Sequence, residues 1–173
     1  MAAGFLFYTK IMLKIGIDPA FRKNGYGMCI VDYYDKTIAF KIFKNGYRDF
    51  LSWLIYERPE FARYCVENSN LQKAIWINEY KRCPSGSVMA VIRYFMLVVA
   101  KAVCVGKNQA ISQITVDSLI EFCGKENVKD ISPKVKGKVM NEQMFKLLTR
   151  GFTLIKYKGT EDERAAYQCT TFL

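Results

Sequence analysis

Three acidic positions stand far apart in a chain that is otherwise strongly basic. Asp18 closes the run Ile15-Gly16-Ile17-Asp18, followed by Pro19-Ala20 and the turn Asn24-Gly25-Tyr26-Gly27. Glu67 ends Tyr64-Cys65-Val66-Glu67, and Glu161-Asp162-Glu163 lies near the C-terminus. Carboxylates gathered at one point repel each other unless divalent cations bridge them. Oxygen-only donors favour Mg2+ or Mn2+. Two such ions about 3.5–4 Å apart clamp the attacking water and the leaving oxygen of a phosphodiester. The chemistry expected of this set is metal-dependent phosphodiester hydrolysis. Each acid alone has a plainer reading, since Asp before Pro is a common turn device.

The residue inventory excludes other chemistries. The chain has no histidine, so Ser-His-Asp and Cys-His catalysis are out, as is a mixed Cys/His zinc site. Cys29, Cys65, Cys83, Cys104, Cys123 and Cys169 form no Cys-x-x-Cys pair. Several fall in apolar runs, as small buried hydrophobes do, and a reduced, cytoplasmic setting is expected. Lys and Arg number 26 against 16 acids, a formal charge of +10 that suits a polyanionic partner.

The elements that must position the acids follow from hydrophobic period. In 173 residues we expect one domain over 12–173, after an extension at 1–11. Ala2–Tyr8 is apolar but short, and Lys10 and Lys14 follow it rather than precede it, which does not make a secretory signal. Met12–Asp18, Gly25–Asp32 and Thr37–Phe43 read as strands of an antiparallel meander. Tyr47–Tyr56 reads as a helix and Glu60–Glu67 as a strand. A long helix, capped by Ser85 or Ser87, runs to about Val105. Arg93 and Lys101 interrupt its apolar run, which argues for a buried core helix over a membrane span. Ile111–Val116 reads as a fifth strand, with a short helix from Asp117-Ser118 to Phe122. Gly124–Gly137 is polar and lysine-rich. Lys138–Arg150 is helical, Phe152–Tyr157 extended, and Glu161 opens a last helix. The fold class expected is α/β, a mixed five-stranded sheet flanked by helices. Asp18 and Glu67 converge if their strands are neighbours.

Cationic side chains could hold the substrate. Lys134, Lys136 and Lys138 alternate and, in an extended segment, would track a phosphate backbone from one side. The plainer reading is a solvated lysine-rich loop. Arg22, Lys23, Lys81 and Arg82 are expected at the same edge as the acids.

Ile15-Gly-Ile-Asp18-Pro-Ala with Gly25-Tyr-Gly27 resembles the opening motif of RuvC-type Holliday-junction resolvases, of the RNase H-like superfamily. Val66-Glu67-Asn68 is similar to that family's second acidic motif, the 134–138 lysines to its basic segment, and Asp162-Glu163-Arg164-Ala165-Ala166 to its closing Asp-x-x-Asp-Ala. The resemblance covers roughly residues 12–173. It implies an RNase H-like fold, a homodimer, two Mg2+ ions per site (Mn2+ able to substitute), and symmetric nicking of four-way DNA junctions and other branched DNA. It also implies catalytic roles for Asp18, Glu67, Asp162 and Lys136, metal ligation by Asp18, Glu67, Asp162 and Glu163, and DNA contacts from the remaining basic residues. Such a compact chain suits a phage or viral source, acting in the host cytoplasm.

Two departures stand out. Ala165 occupies the place of the second acid of the last motif, three residues after Asp162 and on the same helix face. Either Glu161 or Glu163 compensates, three acids suffice, or the chain carries a disabling substitution. Asn68, Ser69 and Asn70 stand where an aromatic wedge often follows the second acid. Alternatives to the resolvase are an RNase H-like nuclease acting on RNA or hybrids, and a non-catalytic junction-binding protein.

Overall fold

The computed structural model describes residues 12–20, 25–71 and 86–173. The expected extension at 1–11 lies outside them, as do Arg22, Lys23, Lys81 and Arg82. The architecture is α/β, a mixed sheet of six strands flanked by helices. The strands are β1 (Leu13–Asp18), β2 (Tyr26–Asp32), β3 (Thr37–Phe43), β4 (Ala62–Glu67), β5 (Val128–Ile131) and β6 (Thr153–Ile155). Their order is β5-β4-β1-β2-β3-β6. The expected meander is present, with β1–β2 and β2–β3 antiparallel. β4 lies parallel to β1, β5 parallel to β4 and β6 parallel to β3.

Among the described residues the α-helices are α1 (Tyr47–Tyr56), α2 (Val88–Cys123), α3 (Pro133–Lys136), α4 (Glu142–Leu148) and α5 (Glu161–Thr170). Strand side chains alternate between faces, so the sheet carries a core on each side. On one face Ile15, Ile17, Tyr26, Met28, Tyr64 and Val66 pack with Phe50, Trp53 and Leu54 of α1 and with Val116 and Leu119 of α2. On the other, Cys29, Val31, Ile38 and Phe40 pack with Phe145 of α4 and Ala166 and Tyr167 of α5. Cys65, Ile131 and Cys169 extend that second layer.

Three expectations are corrected. Ile111–Val116 is not a strand but part of α2, which runs unbroken for 36 residues, about 54 Å. Its β-branched content suggested a strand, but Thr115, Val116 and Leu119 fall at helical spacing and are buried against the sheet. The true fifth strand is Val128–Ile131, inside the segment read as polar. Only its two ends are apolar, because it lies at the sheet edge beside β4; with β6 the sheet has six strands rather than five. Finally, the first half of α2 is not a buried core helix. Val88, Met89, Met96, Leu97 and Val99 are more than half exposed, because only the later turns of α2 reach the sheet. Among the described residues, α2 alone is long and apolar enough to cross a membrane, its most apolar window having mean hydropathy 2.1 with 6% buried.

Candidate active site

Asp18 and Glu67 are brought together by strand register. β1 and β4 run parallel with Ile17 opposite Val66, so the next residue on each strand is the carboxylate. Both belong to the face covered by α5, because Gly16 and Cys65 precede them by two. On the other side Asp18 pairs with Gly27 of β2.

Gly16 and Gly27 explain how α5 gets close enough to contribute. A Cβ on Gly16 would collide with the carbonyl oxygen of Ala166, and one on Gly27 would stand 2.9 Å from that of Asp162. The helix therefore lies on bare backbone. Asp162 sits in its first turn, where the helix dipole favours negative charge, above the strand that pairs with Asp18.

Lys136 completes the group. Its Nζ lies 3.6 Å from Oδ2 of Asp18 and contacts Oε2 of Glu67 directly. The side chain is only 5% exposed, against 18% for Asp18 and 14% for Glu67. The lysine thus reaches the acids from inside the fold. Burial pushes the Asp18 carboxyl up to about 6; Glu67 and Asp162 add to the rise and Lys136 opposes it. Burial works against the charge on Lys136, yet Asp18, Cys169 and Glu67 more than offset it and hold the ammonium above the usual lysine value.

The lysine is set in place by residues that have no obvious signal in the sequence. Ser132 caps the short α3, its side chain accepting from Val135 N at 3.2 Å. Gln168 of α5 donates from Nε2 to the Lys136 carbonyl at 2.6 Å and accepts from Met140 N at 3.3 Å. One turn earlier, Arg164 donates to the Met140 carbonyl at 3.0 Å and to Glu142 at 2.9 Å. Residues four apart share a helix face, so one stripe of α5 grips the whole 136–142 segment. The strand end carrying Glu67 is fixed similarly. Asn68, buried, donates its backbone N–H to Ile131 at 2.7 Å and its side-chain amide to Asp130 at 3.0 Å, and accepts from Asn70 N at 3.0 Å.

Other expected site residues lie elsewhere. Lys134 and Lys138 are exposed, while Lys136 is buried. The segment is a helical turn, not an extended strand, so the three lysines do not line one side. Glu163 is not free to ligate at this site. Its carboxylate is buried and accepts from Lys158 N and Thr160 N, while Thr160 caps the helix in return. Glu161 is exposed and Ala165 buried.

Among the described residues no three Asp, Glu or Cys side chains cluster tightly enough to hold a metal as they stand. The donor set is nevertheless hard and oxygen-only. Two carboxylates suit Mg2+, which commonly takes one or two and keeps waters in its other positions. Comparison of the chain with protein families, with curated proteins and with solved structures gave no match.

Proposed function

We propose that this protein is a metal-dependent, structure-selective DNA endonuclease with an RNase H-like fold that resolves four-way junctions by symmetric nicking. The observation that carries the reading is the convergence of Asp18 and Glu67 on adjacent parallel strand ends, with Asp162 close enough to shift Asp18. The strand order β5-β4-β1-β2-β3, an antiparallel meander continued by two parallel strands, supports it; β6 is an addition beside β3. So does the formal charge of +10, suited to a phosphate backbone.

Asp18, Glu67 and Asp162 would hold Mg2+ or Mn2+, two ions per site. When bound, these ions supply the charge that activates water and stabilises the leaving oxygen. The chain's own residues orient that chemistry. β1 and β4 fix two carboxylates side by side, α5 would bring Asp162 to them as the third, and Lys136 keeps a cation at the same point. Lys134 and Lys138, both exposed, would meet flanking phosphates. Cleavage leaves 5′-phosphate and 3′-hydroxyl ends.

A homodimer belongs to the same reading. A four-way junction is two-fold symmetric when open, and a two-fold dimer offers two identical sites to opposed strands. The exposed apolar turns of α2 supply a surface for the second copy.

Labelled four-way junction and matched linear duplex, each with and without Mg2+, test the proposal. Paired nicks in the junction alone are expected, and Asp18→Asn should abolish them while sparing binding. Absence of any junction preference would overturn the reading. Equal or better cleavage of an RNA–DNA hybrid would move the activity to that substrate. One observation favours a junction-binding protein without turnover: Ala165 is buried where the resemblance expects an acid. Junction binding without cleavage, by this chain and by Ala165→Asp alike, would establish that reading, whereas cleavage only after Ala165→Asp would mark a disabled enzyme.

A further inference from the structure

Lys136 raises a question that the proposed nuclease site leaves open. A buried ammonium already occupies the point between Asp18 and Glu67 where a bridging cation belongs. Its carbon stem is sealed in the fold, and its backbone is tethered to α5 by Gln168 at 2.6 Å. This is a built-in arrangement, not a surface lysine folded over a pocket. Yet one ammonium carries one positive charge against two carboxylates, with Asp162 adding a third negative charge nearby. The group is undercompensated, and a divalent ion neutralises more of it than a lysine can.

We propose that Lys136 is a resident counter-ion that keeps Asp18 and Glu67 together before metal loading, and that a divalent cation binds by displacing it from between them. This rests on the nuclease reading above, because it takes Asp18 and Glu67 as ligands. The ammonium and the divalent ion are competitors for the same oxygens. Lys136 thereby sets the metal affinity of the site, weakening it while preventing the carboxylates from springing apart. Displacement turns the ammonium outward, where it is free to meet a phosphate.

Two measurements on the whole protein test this. In the wild-type chain, labelling of lysine amines by an acylating reagent, read by mass spectrometry, should find Lys136 protected without metal. Saturating Mn2+ should increase its labelling at least several-fold, with exposed Lys134 and Lys138 as internal controls. In calorimetric titration with Mn2+, Lys136→Gln should bind about tenfold tighter than wild type, and Gln168→Leu, which loosens the lysine but keeps its charge, by a smaller factor. Addition of Glu67→Gln to the Lys136→Gln variant should remove the binding, which locates it. Mn2+ binding to wild type that depends on Glu67 but leaves Lys136 labelling unchanged would overturn the displacement and leave the nuclease reading standing. The absence of Mn2+ binding to wild type and variants alike would sink both.

Discussion

Asp18 is the residue on which most of the site's electrostatics falls. Its carboxyl titrates near 6, above the ordinary 3.8, chiefly because it is buried. The sign follows from linkage: between about pH 4 and 6 the folded protein holds a proton that the unfolded chain has released. The stabilisation is present at low pH and is lost as pH rises through the folded value. At neutral pH the ionised group costs on the order of 3 kcal/mol. Lys136 shifts in the opposite sense for its type, and its contribution is lost only above the ordinary lysine range, outside this window. Asp18→Asn, which mimics the neutral acid, should therefore raise the melting temperature at pH 7 by several °C in metal-free buffer. It should also flatten the fall in stability from pH 4 to 6. A lower melting temperature at pH 7 would show that the Lys136 contact outweighs the burial of the charge. The gain is what a site that sacrifices stability for function should give. Asp18 and Glu67 could be singled out in the sequence because each ends an apolar strand-like run. Glu163 was misassigned for a physical reason: three adjacent acids open α5, and only the cap geometry decides which one turns back to the backbone. Lys136 stood out only by resemblance, since alternation with Lys134 and Lys138 implied an extended segment that Ser132 and Pro133 convert into a helical turn.

At the scale of elements, α5 does the most with the least. Ten residues carry Asp162, grip the Lys136 segment through Arg164 and Gln168, and lie directly on β1 and β2. That seating depends on glycine at one place above all. Gly16→Ala puts a methyl group into the Ala166 carbonyl, and backbone cannot rotate away as a side chain can. The helix must lift, at about 2–4 kcal/mol. A lower urea midpoint is expected, together with faster amine labelling of Lys136 as its tether to α5 loosens. Gly106, in α2 with nothing within 4 Å of the same added carbon, is the contrast. Gly106→Ala should be stabilising by up to about 1 kcal/mol through helix propensity. Equal effects at both glycines would refute the close seating of α5. Most elements could be read from period and caps: β1 to β4, α1 and α5 lie where alternation or helical spacing puts them. The failures share a cause. β5 is an edge strand whose register comes from β4, so its own residues Val128-Lys129-Asp130-Ile131 carry little period. The helical turns at 111–116 look like a strand in isolation because β-branched residues face the sheet from a helix as well as from within it.

At the scale of the whole molecule, α2 is the feature that one copy of the described chain does not account for. Its later turns are core, holding Val116 and Leu119 against β1 and β4, while its earlier turns expose Val88, Met89, Met96, Leu97 and Val99, with Ile92 and Phe95 nearly half exposed. Monomers rarely leave apolar patches of more than a few hundred Å2 open, and a stable interface buries about 800 Å2 from each partner. The apolar run was visible in the sequence; its exposure was not, because apolar spacing alone cannot tell a core from an interface. Ile92, Phe95, Met96 and Val99 follow one another at helical spacing, the pattern that packs helix against helix. If a second copy covers this seam, Phe95→Glu with Met96→Glu should convert the protein to a monomer by sedimentation velocity. Folding should survive, since neither residue touches the sheet core, and Mn2+ binding at Asp18 and Glu67 should be unchanged. On the proposed nuclease reading, junction binding should weaken and lose part of its salt dependence, because one chain makes fewer phosphate contacts than two. The decisive change is in the products: the paired nicks of a two-site enzyme should become single, uncoupled nicks. A wild-type protein that already sediments as a monomer and partitions onto lipid vesicles through the same two residues would assign α2 to a bilayer instead. The two covers make opposite demands on Arg93 and Lys101. A protein seam can leave both charges at its wet rim, whereas a spanning helix must carry them into hydrocarbon at a cost of about 2.5–3.5 kcal/mol each, and it is this asymmetry that favours the second copy.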